Sequence, residues 1–527
     1  MRNRMIAVGV MMTALLAGPF AALHAQTLNI GMQTETTSLD PHVAISNQAV
    51  SVARHMFDTL VHPDARQGLQ PGLALNWAAI GPMEWEFRLR PHVRFHDGTA
   101  FTAADVASTL TRARDGAGAP TGFGVMTKQI TDIAVVDPLT IRLRTAQPFP
   151  LMAEHLSAVP MISHRIGTDT PAGDFNSGKA AIGTGPFRIV SWTRADHLRL
   201  ARNDAYWGGA PAWAEVTIRP IANDAVRVAA LLSGAVDMID QVPSPSVATL
   251  RARADMAVAQ TVSNRVIYLA IHHDPAANPQ VKDAGGTTLA ANPFADRRVR
   301  LALAKAINRD AMIQHVLERL ATPASQLLPD GYPGTSNMLR PESYDPGAAR
   351  ALLAEAGFKD GFTVTLLVPR DRNASDTQIG EALAQMFGRI GLRVSLDVLP
   401  YSIAQPRFKR GDFALALRGW GTETGEASMA LRAILGSSDS ARGWGSVNGG
   451  RYANPALDAL LNTALSTQDP KQREAMVAQA TEIGIADVGI IPLHYQMAIW
   501  AMRRGLTYQA RSDNYTFAFD VRPNLVR

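Results

Sequence analysis

Two carboxylates and a tryptophan stand among three glycines in the segment 419–426, which reads Gly-Trp-Gly-Thr-Glu-Thr-Gly-Glu. The carboxylate of Glu423 or Glu426 can pair with a cation such as an ammonium group. Trp420 can form an apolar wall beside that cation, and Gly421 lets the backbone approach a bound molecule closely. The pattern is that of a binding site for a ligand with a positive end. A solvated loop around a packed tryptophan is the alternative, and the residue types alone leave both open.

The run 413–418, Phe-Ala-Leu-Ala-Leu-Arg, predicts a strand that ends immediately before this segment. In open α/β sheets, ligands bind outside the carboxyl ends of the strands. The segment 419–426 therefore occupies the position at which such folds bind their ligands.

Other residue combinations that could do chemistry have simpler interpretations. The segment 173–180 nearly matches a phosphate-binding loop, but Ala180 stands where a serine or threonine should hold magnesium. The sequence has no His-Glu-x-x-His motif, and the four-residue spacing of His92 and His96 falls in strand and turn sequence. The serine-hydrolase motif Gly-x-Ser-x-Gly is also missing. We therefore expect no metal site, no cofactor and no catalytic residue.

Helical and strand patterns alternate along the chain, which predicts the α/β class. Asp296 should cap a helix at 297–307, and Asp345 should cap a helix that begins at Pro346. The segments 362–368, 377–390 and 392–398 predict a strand–helix–strand unit of a parallel-rich sheet. Further elements are predicted as strands at 28–32, 85–89 and 236–239 and as helices at 50–60, 102–112 and 226–233.

The composition excludes several classes of protein. Hydrophobic residues are 46% and charged residues 18% of the 527-residue chain, which is the balance of a globular protein. At about 150 residues per domain, this length allows roughly three domains. The absence of cysteine excludes disulfides, thiolate metal sites and a lipid-modified cysteine. The net charge of +5 comes from scattered basic residues, so we expect no nucleic-acid partner.

The N-terminus has the pattern of an export signal. Arg2 and Arg4 precede an uncharged stretch, and the segment ends in the small residue Ala25. Pro19 would break a helix in this stretch, which favours cleavage after Ala25 over a retained membrane anchor. We therefore expect residues 1–25 to be a signal peptide and the mature protein to be soluble in the periplasm.

A series of short motifs extends in order over essentially the whole mature chain. Each motif by itself is weakly informative, whereas the series together is specific. Its members are SLDPH (38–42), MFDTLV (56–61), WEFRLR (85–90), FHDG (95–98), FTAADV (101–106), GTGPF (183–187), YWGG (206–209), the run 296–306, YANP (452–455) and IPL (491–493). Through these motifs the chain resembles family 5 of the extracytoplasmic solute-binding proteins, which serve peptide, nickel and opine ABC importers.

The resemblance implies an α/β, two-lobed periplasmic binding protein (type II, cluster C) with an additional domain and a discontinuous first lobe. The first lobe would comprise residues 26–58, 183–269 and 491–527. The additional domain would comprise residues 59–182, and the other lobe residues 270–490. The two lobes would close on a ligand like a hinged clamp.

The resemblance also implies roles for individual residues. Family members that bind peptides hold the ligand's ammonium group with an aspartate three residues after a tryptophan. Trp420 matches that tryptophan, and Glu423 occupies the aspartate position with one extra methylene. A second acidic position of the family falls on Glu426. The family arginine that can bind a ligand carboxylate falls on Arg372, and Tyr401 is expected to line the same cleft.

The sequence thus predicts the periplasmic receptor of an ABC importer, which binds short peptides or peptide-like zwitterions and delivers them to the membrane permease. No enzymatic activity is expected, and a monomer is the default. Two alternatives stay open. One is a metal chelate, opine or oligosaccharide ligand on the same scaffold, and the other is a secreted hydrolase or peptide chaperone.

Overall fold

The computed structural model describes residues 27–43, 46–115 and 123–524. The expected signal peptide and its cleavage site lie outside these residues. Within them, no helix combines the length and the apolar character that a membrane crossing requires.

The strands of the described residues are numbered in chain order. They are β1 (Thr27–Met32), β2 (Val61–Pro63), β3 (Leu69–Pro71), β4 (Ala74–Gly81), β5 (Glu84–Leu89), β6 (Ile130–Asp137), β7 (Thr140–Thr145), β8 (Phe187–Thr193), β9 (His197–Arg202), β10 (Glu215–Pro220), β11 (Met238–Ile239), β12 (Met256–Ile271), β13 (Val281–Lys282), β14 (Ala321–Pro323), β15 (Thr363–Pro369), β16 (Arg393–Leu399), β17 (Leu415–Trp420), β18 (Ile490–Arg503), β19 (Leu506–Thr507) and β20 (Arg522–Pro523).

The α-helices are numbered in the same way, and short 3₁₀ turns lie among them. The helices are α1 (Asn47–Met56), α2 (Ala103–Asp115), α3 (Gly124–Thr127), α4 (Met152–Leu156), α5 (Ala172–Asn176), α6 (Asp224–Ser233), α7 (Ser244–Ala252), α8 (Arg297–Ala306), α9 (Arg309–His315), α10 (Pro346–Glu355), α11 (Asp376–Gly388), α12 (Tyr401–Arg410), α13 (Ala427–Ile434), α14 (Pro455–Ser466) and α15 (Pro470–Ala486).

One sheet of twelve strands extends through most of the molecule, in the order β13-β15-β17-β12-β18-β11-β1-β10-β9-β8, with β14 beside β18 and β16 beside β15. β15 and β16 are parallel, whereas β12 is antiparallel to both β17 and β18. The sheet is therefore mixed rather than parallel-rich. A separate antiparallel sheet has the order β4-β5-β7-β6. The α/β class is confirmed.

Most predicted elements are confirmed, because their start and stop signals are local. Asp296 caps α8 and Asp345 caps α10, each by accepting a backbone N–H at 2.8 Å. The predicted strand–helix–strand unit is present as β15, α11 and β16. The helix predicted to reach Leu60 instead ends at Met56, because Phe57 is extended with a φ of −129°.

Two predicted strands differ in extent from the structure. The strand expected at 236–239 contains only the two residues of β11. The strand expected at 413–418 begins two residues later and includes Trp420. This second difference places Trp420 in the sheet, opposite Val266 of β12, rather than in the loop that follows.

The described residues form several hydrophobic cores. One core surrounds the four-stranded sheet and includes Phe87. A second combines distant segments, from Leu28 of β1 to Trp500 of β18. A third surrounds β15 and includes Leu366 and Leu417. The exact domain boundaries given above stay predictions.

The long strands β12 and β18 connect two of these cores. They pair over most of their length, but the register is interrupted between Val262 and Val266. Such a β-bulge bends the strand and redirects its side chains. Ile267 and Ile491 on one side of the bulge belong to one core, whereas Trp500 on the other side belongs to another. The bulge therefore lies where the paired strands pass from one core to the next.

Candidate functional site

The segment 419–426 begins in β17 and ends at α13, so regular structure fixes both of its ends. β17 is antiparallel to β12 on one edge and parallel to β15 on the other. Leu415 and Leu417 of β17 are fully buried, which anchors the strand in the core. The loop thus leaves the sheet at the carboxyl end of β17.

Gln67, in the turn between β2 and β3, holds this loop from another part of the chain. Its side-chain amide donates to the Thr422 carbonyl at 3.0 Å and accepts from Asn264 Nδ2 at 2.7 Å. Asn264 also donates to the Thr422 carbonyl at 2.7 Å. A Cβ added to Gly425 would lie 2.6 Å from the Gln67 Cβ. These close contacts join the region of β2 and β3 directly to the loop after β17.

Glu426 forms the N-cap of α13. Its carboxylate accepts the backbone N–H groups of Ser428 at 2.6 Å and Met429 at 3.1 Å. Thr424 Oγ1 donates to the same carboxylate at 3.0 Å, and Glu426 is only 6% exposed. Both carboxylate oxygens therefore already have donors, in the arrangement that stabilises a helix N-terminus. A contact of Glu426 with a ligand stays a prediction.

Glu423 differs from Glu426, because no other described residue donates a hydrogen bond to its carboxylate or forms an ion pair with it. The side chain is half-buried. Burial raises the pKa of Glu423, and the positive charge of Arg265 opposes that rise. A carboxylate removed from water without a partner is unfavourable. Glu423 is therefore well suited to accept a cationic group of a ligand.

Arg265 is a site residue that the sequence analysis missed. It is half-buried in the β12 bulge, and its guanidinium group has no hydrogen bond or ion pair with any residue in the described ranges. Burial, together with the positive charge of Arg372, lowers the pKa of Arg265 to about 10. Glu423 and Tyr401 oppose that shift. No local pattern marks a single arginine in a strand, since its placement depends on the bulge that pairing with β18 creates.

Arg372 and Tyr401 lie together near Arg265. The Arg372 Cζ is 4.9 Å from the centre of the Tyr401 ring, which is a cation–π contact. Tyr401 begins α12, and its backbone N–H donates to Asp371 Oδ1 at 2.7 Å. Arg372 is exposed and Tyr401 is half-buried. Both side chains are near enough to Arg265 to influence its pKa, and their contact with a ligand stays a prediction.

Trp420 ends β17, and Gly421 begins the loop. The indole Nε1 of Trp420 is shielded from solvent and has no acceptor among the described residues. A Cβ added to Gly421 would lie 2.9 Å from Asn264 Oδ1 and 3.7 Å from an Arg265 guanidinium nitrogen. Gly421 therefore allows the loop to pack against the β12 bulge. The Trp420 N–H is left as a donor that an acceptor on a ligand could satisfy.

The segment 173–180 and His96, for which no chemical role was predicted, contact neighbouring groups of the protein. Lys179 of the segment 173–180 pairs with Asp174 at 2.9 Å. The His96 ring hydrogen-bonds to the Gly185 carbonyl at 3.0 Å. In the part of the chain that the structure describes, no group of three or more His, Asp or Glu side chains could hold a metal ion.

A family model described as bacterial extracellular solute-binding proteins, family 5 Middle, matches residues 68–442 of the chain. The chain belongs to this family. The glutathione-binding protein GsiB of Pectobacterium atrosepticum is 28% identical to this family 5 protein over 98% of each chain.

Solved structures are similar to this family 5 protein over nearly their whole length. The periplasmic binding protein DppA from Helicobacter pylori, in complex with the peptide STSA, has a TM-score of 0.76 at 23% identity and covers 94% of this chain and 98% of its own. HbpA2 from Haemophilus parasuis has a TM-score of 0.80 at 21% identity and covers 95% and 100%. These similarities confirm the two-lobed fold of periplasmic binding proteins.

Membership of the family confirms the predicted role as the solute-binding receptor of an ABC importer. Members of this family are solute-binding proteins rather than enzymes, and they act with an ABC permease. Arg265 lies beside the loop that carries Glu423, so two opposite charges without an ion-pair partner among the described residues are found together at the β12 bulge.

Proposed function

We propose that this family 5 protein is a periplasmic receptor for short peptides or peptide-like zwitterions. The observation that carries the proposal is that Glu423 and Arg265, opposite in charge and each without an ion pair among the described residues, lie beside each other where Gln67 holds the loop after β17. A zwitterion offers a partner of opposite charge to each of them. The printed names of similar proteins support a peptide ligand, since GsiB is named for glutathione and DppA was solved with the peptide STSA.

The ligand's ammonium group is placed on Glu423 and its carboxylate on Arg265, with Arg372 at the entrance. Trp420 and Tyr401 line the ligand, and the Trp420 indole N–H donates to a ligand carbonyl or carboxylate oxygen. Gly421 keeps the loop close enough to the bulge for these groups to act together. Glu426 supports the site by capping α13 rather than by touching the ligand.

In this proposal the protein catalyses no reaction. It leaves the cytoplasm through a signal peptide cleaved after Ala25, works as a soluble monomer without a nucleic-acid partner, and passes its ligand unaltered to the permease. Ligand binding shifts the population from the open form to the closed form, because the ligand has a higher affinity for the closed form.

Identification of the bound molecule tests this proposal directly. Protein purified from a bacterial periplasm and then denatured is expected to release a peptide or peptide-like zwitterion that mass spectrometry identifies. Refolded, ligand-free protein should bind the same molecule in isothermal titration calorimetry, and the molecule should be recovered intact after prolonged incubation. Release of a sugar or a metal chelate would contradict the peptide proposal, and conversion of the ligand into product would contradict the receptor role.

Gln67→Ala is expected to weaken ligand affinity roughly tenfold, because it removes two buried hydrogen bonds that hold the region of β2 and β3 against the loop after β17. Calorimetry measures the affinity, and small-angle X-ray scattering should show a larger radius of gyration at partial saturation. Gln70→Ala in β3 is the control, since Gln70 is exposed. Equal affinities for both variants would show that Gln67 does not favour the closed form.

A further inference from the structure

A cavity lies at the carboxyl end of α12. Its volume of about 360 Å³ is within the range of small-molecule sites in proteins. None of the residues assigned to the proposed peptide site lines it. Lys409, which does line it, follows Tyr401 by about two turns of α12, or about 12 Å along the helix axis. The cavity is therefore a candidate for a site that the proposed function does not use.

Glycines allow the walls of this cavity to come close together. Gly411 caps α12 at its carboxyl end with a φ of +77°, a conformation that favours glycine. A Cβ added to Gly449 would overlap the carbonyl oxygen of Phe408. The loop that contains Gly449 therefore packs directly against the end of α12, and this contact fixes the shape of the cavity.

The charged residues that line the cavity are all positive. They are Lys409, Arg410 and Arg451, and no aspartate or glutamate among the described residues lines it. Arg451 pairs with Asp274 at 2.9 Å, and Arg410 is 4.0 Å from Asp412. Lys409 has no ion pair with any residue in the described ranges. Its ammonium group is therefore available to an anion in the cavity.

Gln405 adds a hydrogen-bond acceptor that the protein leaves unused. Its side chain is half-buried and lines the cavity. The carboxamide oxygen Oε1 is shielded from solvent, yet no described residue donates a hydrogen bond to it. A shielded acceptor without a donor is unfavourable. A hydroxyl group of a bound molecule would supply the missing donor.

We propose that this cavity binds a second ligand, a small hydroxylated anion such as a sugar phosphate or a sugar acid. The phosphate or carboxylate of the ligand pairs with Lys409, and a hydroxyl group donates to Gln405 Oε1. Positive charge without a lining acid favours an anion. The unused acceptor favours a molecule with donors, because a bare anion such as chloride would leave Gln405 Oε1 without a partner.

Three probes test the proposal in isothermal titration calorimetry and ligand-detected NMR: glucose 6-phosphate, glucuronate and neutral glucose. At least one of the two anions should bind the unmodified protein about tenfold tighter than glucose or more, as expected for a charge-assisted hydrogen bond. The tighter of the two anions tells whether the site prefers a phosphate or a carboxylate. Lys409→Met should reduce the affinity for that anion to nearly the affinity for glucose, and Gln405→Leu should weaken it about fivefold.

Lys471→Met is the matched control, because Lys471 is exposed on α15 and its loss removes the same charge. It should keep the affinity for the anion, and Lys409→Arg should keep most of it. Equal weakening in Lys409→Met and Lys471→Met would indicate only general electrostatic attraction and would overturn the proposal. Equal binding of glucose and the anions, or no binding of any probe, would overturn it as well. None of these results bears on peptide binding, so the proposed function would stand.

Discussion

Glu423→Gln is expected to weaken ligand binding by about 2–5 kcal/mol, which is roughly 30- to 5,000-fold in Kd. Glutamine keeps the size of the side chain but removes its negative charge. The ligand's ammonium group would then be taken out of water near Arg265 with no counter-charge, and that loss is large when one member of a buried charged pair is removed. Calorimetry with the molecule that co-purifies with the protein measures the effect.

The same variant should not lose stability in the absence of ligand. No other described residue pairs with the Glu423 carboxylate, and burial raises its pKa more than the charge of Arg265 lowers it, so the charge is on balance unfavourable in the ligand-free protein. The Tm of the ligand-free variant should be unchanged or higher. Glu381→Gln, at an exposed position of α11, is the control for the change in net charge. Unchanged ligand affinity in Glu423→Gln would mean that another residue holds the positive end of the ligand.

Arg112→Met is expected to lower the free energy of unfolding by about 3–5 kcal/mol. Arg112 is 2% exposed and binds Asp40 through two hydrogen bonds, at 3.0 and 2.6 Å. It also donates to the His42 Nδ1 at 2.9 Å, and burial lowers the pKa of His42 to about 4, which keeps that ring neutral as an acceptor. Methionine fills much of the space but leaves the Asp40 carboxylate buried without its cation. Denaturation by urea, followed by circular dichroism, measures the loss.

A neighbouring ion pair on the same helix is the control for Arg112→Met. Arg114 pairs with Asp115 at 2.8 Å, but both side chains are partly exposed. Arg114→Met should therefore change the stability by less than about 1 kcal/mol. The double variant Arg112→Met with Asp40→Asn should recover part of the loss, because it removes the unpaired charge. Similar losses for Arg112→Met and Arg114→Met would contradict the importance of the buried pair.

The elements that the sequence predicted well are those whose signals are local. The caps at Asp296 and Asp345 and the strand–helix–strand unit depend on residues a few positions apart. The contacts of the motif at 38–42 could not be predicted from local signals. Its Asp40 and His42 both contact Arg112, which lies 72 positions from Asp40, and no short pattern connects them.

The sequence by itself determined the α/β class, the family and the spacing of Trp420 and Glu423 at the end of a strand. Tertiary structure decided which charges lack partners. The residue types alone offered Glu423 and Glu426 equally as partners for a cation, yet the Glu426 carboxylate is already hydrogen-bonded as the N-cap of α13. Arg265 had no sequence signal at all. The reason is physical: whether a charge is paired depends on burial and on groups that a bulge and long-range contacts bring together from distant parts of the chain.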